Sequence, residues 1–581
     1  MDQTQVLVVG AGPTGLTLAV DLARRGVDVR IVERSPEPPA GSRGKGVQPR
    51  TQEVLDDLGV IEEVLATGEI YPAMRAYRED RVIWEGRMHE IREPDAEVPY
   101  PMVLMQPQWR IERILRDRLA ELGRRVEFGV EVTGFEQDED GVTVTLTGPG
   151  LGSGSGSGPD FDSGPDSGSG SGPDFDPGSG SGFRSASRPG SGGDDRAAER
   201  VRCAYLVGAD GGRSFVRRHL AIGFEGETFE TERMLIGDVR TPDLDREYWH
   251  VWADMATNTT HVALCPLPGT DVFQFTAPVT GETPELSPES FQKVFDEGSG
   301  RKDVRFTGVS WMSLYRVNIR MAERFRVGRA FLAGDAAHVH SPAGGQGLNT
   351  GVQDAYNLGW KLAGVLGGAP ERLLDTYEEE RLPVAADVLG ISTRLHRRAG
   401  EGERDAHTRG EETQQLLLGY RGRSLSAGER GGERVPDAVL GTGTRPDVAP
   451  GAGSVRGAVP SAGSAPGAVA GVGSALDAVA GVGRLFDVLR GPHFTLLAVG
   501  TTHAALVKEV NAAYGPRVRA HAVLREDEPR EPGDLLDVEG RIHRHYGRGL
   551  VLVRPDGYVG YHGGEDGLED YLAGVVATAG G

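Results

Sequence analysis

Residues 5–33 constrain this chain more than any other stretch. An apolar run, QVLVVG at 5–10, reads as a buried strand, and Gly10-Ala11-Gly12-Pro13-Thr14-Gly15 follows it in the pattern GxGxxG. Residues 14–25 carry Leu18, Leu22 and several alanines on one helical face as far as Gly26. Val27, Val29 and Ile31 then alternate in a second strand that ends at Glu33. Gly10 permits the tight turn, Gly12 lets backbone approach a pyrophosphate, and Gly15 lets helix pack on strand. The helix start faces the phosphates, and the Glu33 carboxylate can accept from ribose hydroxyls. The segment predicts an α/β fold opening on a Rossmann-like dinucleotide site. It does not separate FAD from NAD.

The bulk properties bound the rest. At 581 residues the chain holds two or three domains, each with its own core. Its net charge of −22 argues against nucleic acid as a partner, since a phosphate backbone needs a basic footprint. Two cysteines, Cys203 and Cys265, are too few for a disulfide framework or a cysteine-rich metal site. The N-terminal apolar run has no basic flank and is cut by glycine, so no secretory leader is expected. No run approaches ~18 apolar residues, so no membrane span is expected either. The expected location is the cytoplasm.

The excess glycine sits in two stretches. Residues 148–195 are almost pure Gly, Ser, Pro and Asp, with Pro-Asp-Phe-Asp twice. They offer little to bury against the entropy of ordering them and read as a disordered insert. Residues 441–483 carry a decapeptide repeat of small side chains, too short for a solenoid unit. Between and beyond the inserts the pattern is mixed. Strands are expected at 141–146, 200–208, 232–240 and 248–254, with a hairpin 261–269/271–279. Helix is expected over 347–400, and strands return at 493–500, 518–524 and 549–554.

Two more glycine motifs follow strands. Residues 206–217 read LVGADGGRSFVR, with Asp210-Gly211 at the strand end. Residues 331–351 read FLAGDAAHVHSPAGGQGLNTG, with Gly334-Asp335, a glycine-rich loop, and a helix starting near Gly347. A carboxylate at a strand end suits a ribityl hydroxyl, and loop backbone can lie against a flat ring. The positive end of the next helix would stabilise the anion that a flavin ring becomes on reduction. Either motif alone could be a β-turn with an N-cap aspartate.

Together, in this order, the three motifs resemble the single-component (class A) FAD-dependent aromatic monooxygenases of p-hydroxybenzoate hydroxylase-like fold. Ser42-Arg43, Gln48-Pro49-Arg50-Thr51, Pro107-Gln108-Trp109-Arg110 and YEEERLP at 377–383 are most similar to the phenol hydroxylase and aromatic polyketide hydroxylase branch. The resemblance implies that Gly10, Gly12, Pro13, Thr14, Gly15, Glu33 and Arg34 hold the ADP half of FAD. It puts Arg43 near the pyrophosphate or flavin, Gln108 and Asp335 on the ribityl chain, and Pro342, Gly345, Gly347, Leu348 and Asn349 along the ring. Asp210 would support both FAD and NADPH. With no second Rossmann fingerprint, NADPH or NADH would dock transiently.

The implied FAD-binding domain takes in 1–80, 101–147, 196–225 and 311–400. A β-sheet substrate domain takes in 81–100 and 226–310. Residues 430–581, interrupted by 441–483, resemble the thioredoxin-like tail of such enzymes, without CxxC, for which a covering role or a homodimer contact is expected.

The implied activity is NAD(P)H- and O2-dependent hydroxylation of a phenolic or polycyclic, polyketide-like aromatic through a C4a-hydroperoxyflavin. The flavin carries the chemistry, so no catalytic side chain is assigned. Baeyer–Villiger oxygenation and a non-catalytic flavin-binding scaffold are the alternatives. His338 and His340 form HxH, but two ligands do not make a metal site. Trp249 and Trp252 should face opposite sides of a strand, one in the core and one towards a substrate. Trp84, Tyr100, Met102, Phe273, Phe275, Trp311 and Tyr315 read either as pocket or as plain core. Glu378 to Arg381 reads as a solvated helix face.

Overall fold

The structure is a computed structural model that describes residues 2–149, 151, 198–254, 259–279, 281–342, 344–400, 410–442 and 482–576. Three large sheets organise it. In the first, Asp2–Val9 lies between Val29–Glu33 and Ala198–Gly208 and is parallel to both. Val126–Phe128 and Ala330–Leu332 extend it, also in parallel. Val6, Leu7 and Val8 are fully buried, as a strand covered on both faces requires. The helix Pro13–Arg24 packs against Gln108–Glu121 and against the central helix Gly347–Leu366. A Cβ on Gly359 of the central helix would fall on the Asp21 carboxylate, so these two helices meet at backbone distance.

The second sheet runs Arg81–Gly86, Ala73–Arg78, Tyr248–Asp254, Thr259–Pro266, Val272–Val279, Phe224–Arg240, Gly308–Ala322, His338–Val339. One face packs Leu235, Leu264, Phe273, Phe275 and Trp252 onto Phe291 and Phe295 of the helix Pro288–Ser299. The alternation expected of the two tryptophans holds, with Trp252 in this core and Trp249 on the other face. Register places Asp238 opposite both Gln274 and Trp311, and Cys265 opposite Gln274, also on that other face. Strand pairing corrects the expected division of the chain. Residues 73–78 and 311–322, expected in the FAD-binding domain, belong to the second sheet, because Ala73–Arg78 pairs with Tyr248–Asp254 and Gly308–Ala322 pairs along Phe224–Arg240.

The third sheet is built from Val439–Thr442 and strands beyond residue 482. Phe494–Val499 is parallel to Val518–Leu524, and Gly549–Val553 and Val559–Gly563 follow antiparallel. Nearly all of the two low-complexity stretches lies outside the described residues. Their flanks are hairpin partners in both cases, Thr147 with Ala198 and Gly441 with Val482. Among the described residues no helix is long and apolar enough to cross a membrane.

Candidate functional site

Three turns far apart in sequence meet at the carboxyl ends of the first sheet's strands, where open α/β sheets place their ligands. Gly10 has φ +102°, and a Cβ there would fall on the Ala209 carbonyl, so the first turn and the Asp210 turn touch through backbone alone. The Ala209 amide donates to Val9 O (2.8 Å) and the Ala333 amide to Gly208 O (3.0 Å). Thr14 fills the space beside both Gly334 and Gly351, where a Cβ on either would collide with its side chain. Arg217, on the helix Phe215–His219, donates to Ala336 O (2.7 Å) and Gly212 O (2.8 Å), tying the second turn to the third.

The cluster presents donors that the protein itself does not use. Pro13–Arg24 and the central helix both start without a side-chain cap and without an acid in the first turn. Pro288–Ser299, by contrast, is capped by Ser287. An uncapped start leaves amide donors and the positive end of the dipole open to an anion. A Cβ on Gly12 would meet nothing within 4 Å, so the cradle in front of the first helix is open. Glu33 is fixed by the amides of Ala11 (3.0 Å) and Ser35 (2.9 Å), at the edge of this cradle, and Arg34 beside it is exposed.

Acceptors line the same cleft. Asp335 is exposed, with Oδ1 4.0 Å from the Cβ position of Gly347. Surrounding protein nevertheless raises its carboxyl above the ordinary range, against the pull of His338 and Arg43, which describes a carboxylate on the floor of an open cleft. Asp210 Oδ2 accepts from the amides of Phe215 (2.6 Å) and Val216 (3.2 Å), while its Oδ1 is buried without a partner. Gln48 Oε1 and His340 Nδ1 are buried and unpartnered as well. Asn349 accepts from the Gln48 amide (2.8 Å) and donates to Gly46 O and Gly345 O, lashing the glycine-rich loop to residues 46–48. Pro342, Gly345 and Arg43 are exposed along the loop, and Leu348 lies against Gly44. Gln108 accepts from the Gly44 amide (3.1 Å). Helix-start amides that donate, an open glycine cradle and unpartnered polar side-chain atoms supply the hydrogen-bonding groups a dinucleotide flavin needs, so the residues present fit FAD.

The site also holds residues that sequence reading missed or misread. Glu112 is buried and accepts from Gln108 Nε2 (2.8 Å); burial pushes it up to about 7 despite Gln108, Arg116 and Arg43. Its i,i+4 spacing from Gln108 was the available signal. His338 and His340 bond each other (2.8 Å), and His338 bonds Asp354 (2.6 Å) in the central helix. No group of metal-ligating side chains occurs among the described residues. Burial works hardest against the Asp354 charge, yet His338 and Arg381 outweigh it and hold the carboxyl down to about 2. Glu380 and Arg381 are not a solvated face. Both are fully buried, Arg381 on Asp354 (2.7 Å) and Glu380 between Lys361 (2.7 Å) and Arg554 (2.5 Å).

A family model described as FAD binding domain matches residues 3–156 and 186–392. The chain belongs to the FAD binding domain family. It is 41% identical to a flavin-dependent monooxygenase of Mycobacteroides abscessus, over 98% of this chain and 100% of that one. Among solved structures it is similar to an anhydrotetracycline hydroxylase from Streptomyces rimosus (30% identity, 99% of each chain, TM-score 0.67). It is also similar to aklavinone-11 hydroxylase, solved as a ternary complex with FAD and aklavinone (26% identity, 99% of this chain and 98% of that one, TM-score 0.72). This FAD-family protein is a flavin-dependent monooxygenase with a p-hydroxybenzoate hydroxylase-like fold, as its motifs led us to expect. These relatives favour hydroxylation over Baeyer–Villiger oxygenation and over a non-catalytic scaffold.

Proposed function

We propose that this protein hydroxylates a phenolic or polycyclic, polyketide-like aromatic compound at the expense of NADPH or NADH and O2. The observation that carries the reading is where the cleft leads. The loop that lines it lies on the face of the second sheet opposite Phe291 and Phe295, with the Tyr315 hydroxyl donating to His340 O (3.2 Å) and Arg43 over Trp311 at 6.0 Å. A flat apolar substrate would thus lie between the cofactor cleft and a face that carries Trp249, Trp311 and Tyr315.

Gly10, Gly12, Pro13, Thr14, Gly15, Glu33 and Arg34 would hold the ADP half of FAD. Arg43, Gln108, Asp210, Asp335, Pro342, Gly345, Gly347, Leu348 and Asn349 would hold the remainder. FAD supplies, when bound, hydride acceptance from the nicotinamide and activation of O2. The chain's own part is to bind, orient and dry the site. Asp335 would accept from a ribityl hydroxyl, the start of the central helix would stabilise negative charge, and Trp249 and Trp311 would keep water from the reacting ring. No nucleophile is required of the protein. The third sheet reads as a thioredoxin-like domain that covers the FAD domain from behind and offers a surface for a homodimer; a cytoplasmic location completes the proposal.

Polycyclic phenols should stimulate NADPH oxidation by the flavin-loaded enzyme, with a product one oxygen heavier that NMR identifies as an aryl hydroxyl. NADPH oxidation that no aromatic compound stimulates would overturn the reading.

A further inference from the structure

Glu112, in the helix Gln108–Glu121, is 2% exposed, its neighbours Ile111 and Leu115 are core residues, and no cation lies closer to it than Arg116 at 4.0 Å. A leucine would fill such a position without the cost of burying a charge. The carboxylate instead accepts, at Oε1, from Gln108 Nε2 (2.8 Å). Gln108 is thereby held at both ends, since its Oε1 accepts from the Gly44 amide (3.1 Å). A side-chain amide has two N–H donors. Among the described residues only Glu112 takes one of them, and Gln108 is half-buried, so the second is left over at the cleft.

The charges around Glu112 tie it to the cofactor site. Burial lifts its carboxyl to about 7 against Gln108, Arg116 and Arg43, and Glu33 adds to the rise. The helices Pro13–Arg24 and Ile61–Thr67, which pack on the same helix, commit their charges elsewhere, Asp21 to Arg24 (2.7 Å) and Glu63 to Arg113 (3.0 Å). Arg43 and Glu33 are both FAD ligands in the proposed function. A negative charge on Glu112 therefore stands within electrostatic reach of the FAD diphosphate.

We propose that Glu112 is a positioning residue that aims the free N–H of Gln108 at the ribityl chain, and that FAD binding is proton-linked through it, the neutral carboxyl accompanying bound cofactor. The proposal rests on the assignment of Gln108 to the ribityl chain. Oε1 can accept from Gln108 in either charge state, so the positioning survives protonation. Protonation removes only the repulsion between carboxylate and diphosphate. Affinity for FAD should therefore fall as pH rises through neutrality, and binding there should draw a proton from solvent.

The test is titration of the full-length, flavin-free chain with FAD between about pH 6 and 8.5, with calorimetry in two buffers of different ionisation heat. Wild type should bind about fivefold more weakly at the upper end and take up on the order of 0.4 proton per FAD at about pH 7.3. Glu112→Gln keeps the acceptor and loses the charge, so it should hold the tight affinity across the range without that uptake. Glu112→Leu loses both and should bind about tenfold more weakly than E112Q at every pH. Equal pH profiles in wild type and E112Q, or E112L binding as tightly as E112Q, would overturn the proposal. If E112L does not fold, the comparison of wild type with E112Q decides. A wild type that takes up no FAD would overturn this proposal and the proposed function together. The expected pH profile without aromatic-stimulated NADPH oxidation would support Glu112 and count against hydroxylation.

Discussion

The central helix separates two sets of carboxylates that are treated in opposite ways. Behind it, Asp354 meets Arg381 and His338, while Glu380 meets Lys361 and Arg554, and both carboxyls are held down to about 2 although burial pushes each upward. In front of it and around the cleft, Asp335 and Asp238 have no ion pair among the described residues, and Glu112 comes no nearer than 4.0 Å to Arg116. All three are raised, Asp238 to about 6 and Glu112 to about 7. Glu112 and Asp238 are nearly as buried as Asp354 and Glu380, so burial alone does not set the charge; the presence of a fixed cation does. The paired set joins the central helix and the helix Asp375–Gly400 to the third sheet through Arg554. Within the unpaired set, Glu112 and Asp238 are met by neutral donors instead, Gln108 and the Ser42 amide.

If that contrast is right, damage behind the helix should cost stability and damage in front should cost binding. The largest effect is expected from Arg554→Met, which strips Glu380 and Asp556 of their shared cation and should cost about 3–5 kcal/mol in urea unfolding. Next come two glycines of one motif. Gly12→Val projects into open cradle and should weaken FAD binding on the order of 100-fold, with apoprotein stability unchanged. Gly15→Ala would press a methyl onto the Gly10 carbonyl and should instead destabilise the fold by about 1–3 kcal/mol. Paired calorimetric and flavin-binding measurements would separate the two.

The regions should also part company in pH. A carboxyl lowered in the folded state adds stability above its unfolded value that is lost as pH falls. Asp354 and Glu380 therefore predict an acid loss between about pH 4.5 and 2. Glu112 is raised, so the folded state binds its proton more tightly and stability should fall as pH rises from about 4.5 to 7. Glu112→Gln should flatten that second limb and leave the first, adding on the order of 1–2 kcal/mol at pH 8. Smallest of all, deleting 152–194 should leave flavin content and activity near wild type, because Thr147 and Ala198 already stand opposite one another in a hairpin.

The front of the molecule was far more legible in sequence than the back. GxGxxG with Glu33, and Gly334-Asp335 ahead of an uncapped helix, are local patterns whose chemistry lies within a few residues. The alternation of Trp249 and Trp252 was equally readable, though not which of the two faced the core, since that depends on where Phe291 and Phe295 dock. Glu380 and Arg381 were misread because their partners lie far away in the chain; Arg554 is 174 residues from Glu380. A charged run on a helix looks the same in sequence whether water or a distant arginine neutralises it. Asp238 escaped for a related reason, since the amide its carboxylate accepts from belongs to Ser42, 196 residues away.

The most direct measurement is an FAD titration of the refolded apoprotein, wild type beside Asp335→Asn, with the thermal midpoint of each apoprotein recorded in parallel. Wild type should take up one FAD per chain. D335N should bind at least tenfold more weakly and melt no earlier, because its carboxylate is not part of what holds the fold together. Equal FAD affinity in the two proteins, or a wild type that takes up no flavin, would contradict the assignment of this cleft.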